Sequence, residues 1–134
     1  MICIVCVDNA NGMMFNHRRQ SRDNALIDNV ISLADSARLF MNEYSAKLFG
    51  EKEISIISDE GYLEKAEQGD FCFVEDKNLL PYENKIEKII VYKWNRAYPS
   101  DFKLNINLSE YALQESVDFE GSSHEKITRE VYVR

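Results

Sequence analysis

Ile2-Cys3-Ile4-Val5-Cys6-Val7 is an unbroken apolar run, closed by Asp8-Asn9-Ala10-Asn11-Gly12. A strand that meets water on one side alternates apolar and polar residues. A continuous run bounded by turn residues marks a strand buried on both faces, which is the situation of a central strand in a parallel sheet. The run therefore predicts a central strand at 2–7. Arg38–Met41 and Phe71–Glu75 are expected as its flanking strands, and Gly12 is expected to supply a positive φ in the turn.

Beyond that turn the chain alternates strand and helix signals. Leu26, Ile27, Val30, Ile31 and Ala34 recur at helical spacing and predict a helix at about 22–34. Ser21 is read as its cap, and Asp23 as a first-turn acid favoured by the helix dipole. A strand at Arg38–Met41 follows. Asn42 then caps a helix over Glu43–Phe49 that stops at Gly50. Strands are expected at Ile54–Ile57 and Phe71–Glu75, around a short helix that starts near Ser58 and ends by Gly69. After a turn or short helix within Asp76–Lys85 come strands at Ile86–Trp94 and, more briefly, Phe102–Ile106. Tyr111–Glu120 and Lys126–Val133 alternate, and Gly121-Ser122-Ser123-His124-Glu125 joins them as a hairpin. Alternation of this kind predicts an α/β fold: a mostly parallel sheet with helices on both faces and a C-terminal antiparallel hairpin, in one domain over 1–134.

The chain has 134 residues, 16 Lys and Arg against 23 Asp and Glu, and a net charge of −7. That balance argues against nucleic acid as a partner. No apolar run approaches the ~20 residues that span a membrane. The 2–7 run is too short for a secretory signal, so a cytoplasmic protein is expected. Cys3, Cys6 and Cys72 all lie in apolar runs. Cys3 and Cys6 would face opposite sides of a strand, so neither a disulfide nor a metal site is expected.

The order of elements resembles the dihydrofolate reductase-like fold. The resemblance begins at Met1-Ile2-Cys3-Ile4-Val5 with Gly12-Met13 after the first strand. It continues at Leu39-Phe40-Met41-Asn42-Glu43-Tyr44-Ser45, where that family has its second strand and an M-G-R-x-T turn. It then runs through Ile54–Asp76 and Lys85–Tyr92 to the terminal hairpin, where Ser123-His124 occupies the place of a polar turn. The chain is also similar to small bacterial proteins sometimes labelled ribonuclease Z. The sequence gives that label no support, because the H-x-H-x-D-H motif is absent and the histidines are His17 and His124.

The departures from the reductase pattern bear on the cofactor. The resemblance puts a Gly-Gly pair beside the cofactor phosphates where this chain has Glu75-Asp76. It puts Gly-Arg where the chain has Asn42-Glu43. The segment that would hold the 2′-phosphate falls in the short gap between Phe49 and Ile54, and the Pro-Trp pair after the first strand is replaced by His17-Arg18-Arg19. Tyr92 stands where a small hydroxylic residue would face the pterin, and Asp23 alone stands for the pterin-binding carboxylate. These departures imply that no cofactor, and NADPH in particular, is used.

His17, Arg18, Arg19 and Arg22 form a basic cluster in an acidic chain. Arginine offers a planar fork to phosphate or carboxylate. The expected function is therefore binding of a small anionic or nucleotide-like ligand by His17, Arg18, Arg19, Arg22, Asp23, Ser123 and His124. Asp23 and His124 are the candidates for any proton transfer. Arg18→Ala and Arg19→Ala are expected to weaken binding without loss of stability. The Trp94-Asn95-Arg96-Ala97-Tyr98-Pro99 loop follows a sheet strand, a usual ligand position in such folds. No spacing in a single sequence marks a serine–histidine–acid triad, and none is assigned. Two alternatives stand beside this reading: an NADPH-dependent pterin or dihydrofolate-type reductase, and an interaction module that presents the basic loop to an acidic protein.

Overall fold

The computed structural model describes residues 1–50 and 56–134. In chain order the elements are β1 (Ile2–Val7), β2 (Gly12–Phe15), β3 (Arg18–Arg19), α1 (Asn24–Leu33), β4 (Leu39–Met41), α2 (Glu43–Phe49), β5 (Ile56–Ser58), α3 (Tyr62–Lys65) and β6 (Phe71–Phe73). After a 3-10 turn at Leu80–Lys85 come β7 (Lys88–Lys93), β8 (Phe102–Lys103), a second 3-10 turn at Leu108–Glu110, β9 (Ala112–Phe119) and β10 (Ile127–Val133). Of the strand expected at Ile54–Ile57, residues 54 and 55 lie outside the described residues. So do residues 51–55 of the segment assigned to the 2′-phosphate.

The main sheet has the order β5–β4–β6–β1–β7–β10–β9. Strands β5 to β7 are mutually parallel, and the β9–β10 hairpin adds the antiparallel edge. β1 is central, as its apolar run requires. Its neighbours are β6 and β7, however, and not β4. Arg38 and Asp70 form a two-pronged ion pair, 2.9 and 2.6 Å, at the amino ends of β4 and β6, and the Phe71 N–H donates to the Arg38 carbonyl. Those contacts seat β4 beside β6, one strand away from β1.

Alternation along β1 divides the core between the two faces of the sheet. Cys3, Val5 and Val7 pack with Tyr62, Leu63, Val74 and Ile89 beneath α3, the Leu80–Lys85 turn and the small second sheet. Ile4 packs with Leu26, Val30, Phe49 and Phe73 beneath α1 and α2, and Cys6 adjoins that second core. Cys3 and Cys6 thus face opposite sides, as the strand period demands. The exposed edge of the sheet is β9, where Leu113 and Val117 stand open to solvent.

Two local expectations are revised. α1 begins at Asn24 and its cap is Asp23, not Ser21. Asp23 has extended backbone (φ −156, ψ 126), and its carboxylate accepts from the N–H groups of Ala25 and Leu26. An ionised carboxylate satisfies orphan helix donors at least as well as a hydroxyl, and Ser21 is engaged elsewhere. Gly12 does not supply the positive φ; Asn11 does, at 61. Gly12 is required by space instead, since a Cβ there would lie 2.5 Å from Ser100 and 2.6 Å from Asp8 Oδ2. The α2 expectation holds: Asn42 accepts from the Ser45 N–H, and Gly50 ends the helix at φ 60.

The segment read as a basic loop is a hairpin. β2 pairs with β3, Met14 opposite Arg19 and Phe15 opposite Arg18, and β8 completes a three-stranded sheet in the order β3–β2–β8. Asn16 and His17 form the two-residue turn, both at positive φ (52 and 61). This is the geometry that matches hairpin twist, and Asn and His are among the side chains that tolerate it.

Candidate functional site

Four segments meet at the carboxyl ends of β1 and β6. They are the stretch from β3 into α1, the segment after β6, the Trp94–Pro99 loop and the β9–β10 turn. Arg19, Ser21, Arg22, Asp23, Glu75 and Trp94 are among the residues lining a narrow cleft there. It is narrow and partly open to solvent: the centres of water-sized spheres range over about 20 Å³, and about 370 Å³ is unfilled when the solvent-open part is included.

Asp23 is the hub. It is 2% exposed and accepts six hydrogen bonds. Oδ1 takes the N–H groups of Ala25 (2.9 Å), Leu26 (3.3 Å) and Ser122 (2.9 Å). Oδ2 takes the Ser123 N–H (2.8 Å), the Ser123 hydroxyl (3.2 Å) and His124 Nδ1 (2.9 Å). Burial alone would push this carboxyl up. The N–H groups of Ser122 and Ser123, the His124 ring and the Leu26 N–H outweigh it and hold the group well below the usual carboxylate range. The turn at Gly121 can close on the carboxylate only because residue 121 lacks a side chain: a Cβ there would lie 2.6 Å from Asp23 Oδ2 and 2.7 Å from the His124 carbonyl oxygen.

The ionised carboxylate is acceptor-only, so His124 donates through Nδ1; in the neutral imidazole Nε2 is then the acceptor. Two hydroxyls converge on Nε2, Ser21 Oγ and Tyr98 Oη, each at 3.1 Å. The imidazole is stacked on the Trp94 indole, with 4.6 Å between ring centroids and 26° between planes. The result is a buried acid–imidazole–hydroxyl relay whose serine opens onto the cleft. The same arrangement can orient a ligand or move a proton.

The basic cluster, in contrast, is dispersed. Arg18 and Arg19 are adjacent on β3, so their side chains take opposite sides. Arg19 forms a forked ion pair with Glu75, Nε to Oε2 at 2.8 Å and Nη2 to Oε1 at 2.9 Å, and its guanidinium lies over the Tyr44 ring at 4.3 Å. Glu75 also accepts from the Ser45 hydroxyl at 2.8 Å. Arg18 is exposed at a shallow groove with Tyr98 and Pro99. His17 sits at the hairpin tip near Asp76 and Asp101. Arg22 lines the cleft next to Ser21. Neither Arg18 nor Arg22 has an ion-pair partner among the described residues.

The structure thus brings Asp23, Ser123 and His124 together, sets Arg19 and Arg22 on one cleft, and leaves His17 and Arg18 outside its lining. Ser21, Tyr98, Trp94 and Ser122 complete the site. The Trp94–Pro99 loop already stood out in the sequence as a ligand position. Ser21 was hidden because a serine directly ahead of the expected helix reads as its cap.

The positions that the reductase resemblance gives to cofactor phosphates are engaged by the chain itself. Glu75 is paired with Arg19, Asp76 accepts from the Asn42 side chain at 3.0 Å, and the Glu43 N–H at the start of α2 donates to Glu60. Tyr92 is fully buried and donates to Asn29 at 2.6 Å. Among the described residues no group of three or more His, Cys, Asp or Glu is arranged to hold a metal, and no helix is long and apolar enough to cross a membrane.

The fold is similar to that of a dihydrofolate reductase from Enterococcus faecalis solved with NADP(H) and RAB-propyl. The TM-score is 0.69 at 8% identity, over 99% of this chain and 95% of that one. No protein-family model matches the chain, and no curated protein matches it. Nothing in these comparisons supports the ribonuclease Z label. At 8% identity the likeness is one of architecture, and the architecture is dihydrofolate reductase-like.

Proposed function

We propose that the chain binds a small anionic ligand at the mouth of the α1 cleft and does so without NADPH. The observation that carries this reading is the difference between two arginines at one cleft. Arg19 is neutralised by Glu75, whereas Arg22 lines the opening with no ion-pair partner among the described residues. The cleft also lies beyond the carboxyl ends of parallel strands, where open α/β sheets bind ligands. The cleft is narrow, which favours a small anion or the phosphate or carboxylate end of a larger, nucleotide-like molecule. Ser21 and His124 would orient it, and Arg18 would add charge at the rim.

Trp94 is the only tryptophan and lines the cleft, so its emission reports occupancy. Titration with inorganic phosphate and with a nucleoside monophosphate should change that emission saturably. Arg22→Ala should weaken the binding by about 1.5–3 kcal/mol, the worth of a charge-assisted hydrogen bond, and Arg18→Ala by less. Equal affinities in wild type and Arg22→Ala would refute the reading.

The reductase alternative draws on a different observation: Asp23 stands at the start of α1 beside the cleft, where the resemblance puts a pterin-binding carboxylate. Its support is weaker. Both oxygens of Asp23 already accept three hydrogen bonds each within the chain.

A further inference from the structure

We propose that Ser21 is a nucleophile, activated by His124 and Asp23, that accepts an acetyl-sized acyl group from an activated ester in the α1 cleft. This rests on the cleft being a ligand site but not on the charge of the ligand. Three groups from two parts of the chain, residues 21–23 and the β9–β10 turn, stand in the order that nucleophilic catalysis needs. Asp23 Oδ2 holds His124 Nδ1 at 2.9 Å, and His124 Nε2 meets Ser21 Oγ at 3.1 Å. His124 is 4% exposed and stacked on Trp94, so its ring plane is fixed; Ser21 is half-buried and lines the cleft.

Helix capping and turn closure do not account for this arrangement. Capping uses Asp23 Oδ1 with the Ala25 and Leu26 N–H groups, and the turn is tied by the Ser122 and Ser123 N–H groups. Neither calls for an imidazole whose far nitrogen faces a hydroxyl at the opening of a cleft.

In the step proposed, Ser21 Oγ bonds to the ester carbonyl carbon and its proton passes to His124 Nε2. The carbon–oxygen bond to the leaving alcohol then breaks, and the alcohol takes the proton from Nε2. Water repeats the sequence on the acyl-serine, releasing the carboxylic acid and restoring the hydroxyl. Asp23 stabilises the imidazolium through Nδ1–H. Arg22 follows Ser21 directly and supplies positive charge to the developing oxyanion. Tyr98 Oη, also 3.1 Å from Nε2, is a positioning group that accepts from the protonated ring. The small volume of the cleft limits the acyl part, while the alcohol stays outside.

The test uses the whole wild-type chain with p-nitrophenyl acetate and, separately, a fluorophosphonate, followed by peptide mass mapping. Ser21 should carry the acetyl or phosphonyl group about 100-fold faster than the exposed Ser109, the lower end of what a positioned base contributes. His124→Gln should remove that advantage. Wild-type protein in which Ser21 is labelled no faster than Ser109 by either reagent overturns the proposal, and no variant has to fold for that result. Wild-type labelling rates in a natively folded His124→Gln overturn it too. The anion titration of Arg22→Ala is a separate readout: Ser21 labelling without anion binding removes only the anionic reading, and the reverse removes only this one.

Discussion

Asp23 decides whether the site exists at all. Six donors converge on it, and Asn in its place accepts through one oxygen only and turns an amide toward donors it cannot satisfy. Asp23→Asn should therefore lower stability by about 3 kcal/mol near neutral pH, the scale of stranding buried donors of a charged acceptor. The pH dependence has a definite sign. The folded carboxyl is held below its ordinary value of 3.8, so its contribution is complete above that value and is lost as pH falls through the lower folded one. Urea denaturation at a series of pH values should show the gap between wild type and variant shrinking as pH falls below about 4. A gap that does not change down to pH 3 would mean that the charge of Asp23 is not what the turn is built on. The residue was legible in the sequence as an acid at a helix start. Ser123 and His124 were grouped with it from the sequence, but their direct bonds to it and the part of Ser122 were not legible, because nothing local marks contacts about 100 positions apart.

β2 is anchored by Met13 and Met14 in the core, and β3 is tied to the segment after β6 by a single forked ion pair. Arg19 reaches from β3 to Glu75 after β6, and Glu75 is 8% exposed. This ion pair changes what is expected of Arg19→Ala, which the sequence groups with Arg18→Ala as sparing stability. Arg19→Ala leaves a buried carboxylate with the Ser45 hydroxyl as its remaining side-chain partner, and should cost about 2–3 kcal/mol. Arg18 faces solvent, and Arg18→Ala should stay within about 0.5 kcal/mol. Thermal or urea unfolding of the two variants checks the contrast. The double variant Arg19→Met, Glu75→Leu should recover part of the loss, since it removes the stranded charge. Equal stabilities of the two single variants would show the ion pair to be incidental. The hairpin escaped the sequence reading because its strands are two and four residues long and its turn is Asn16-His17, without the glycine that usually announces a two-residue loop. A run of basic residues was read as one surface, although strand alternation sends neighbours to opposite sides.

The parallel sheet and the terminal hairpin were legible in the whole chain, because apolar runs and alternation follow from burial on two faces or one. Strand order was less so. The pairing of β4 with β6 depends on Arg38 meeting Asp70, 32 residues on, and a periodicity argument does not see such contacts. A likeness of fold over 99% of the chain at 8% identity carries architecture, not chemistry, so the cofactor question has to be argued from side chains. Where the resemblance puts pyrophosphate, this chain presents Glu75, Asp76 and Glu43. Two like charges 4 Å apart oppose each other by about 4 kcal/mol at an effective dielectric near 20, and every 1.4 kcal/mol is tenfold in affinity. The backbone donor at Glu43 is already taken by Glu60, and the Asn42 amide by Asp76, so little is left to offset that repulsion. Relief would require Glu75 to leave Arg19, at the cost argued above for the hairpin. Calorimetric titration with NADPH should therefore show no saturable micromolar binding, and a dihydrofolate assay no oxidation of the cofactor. Micromolar binding with steady oxidation, abolished by Asp23→Asn, would return the chain to the reductases. Binding without oxidation would instead mean that the Glu75–Arg19 pair opens for a phosphate, and Arg19→Ala would then weaken it.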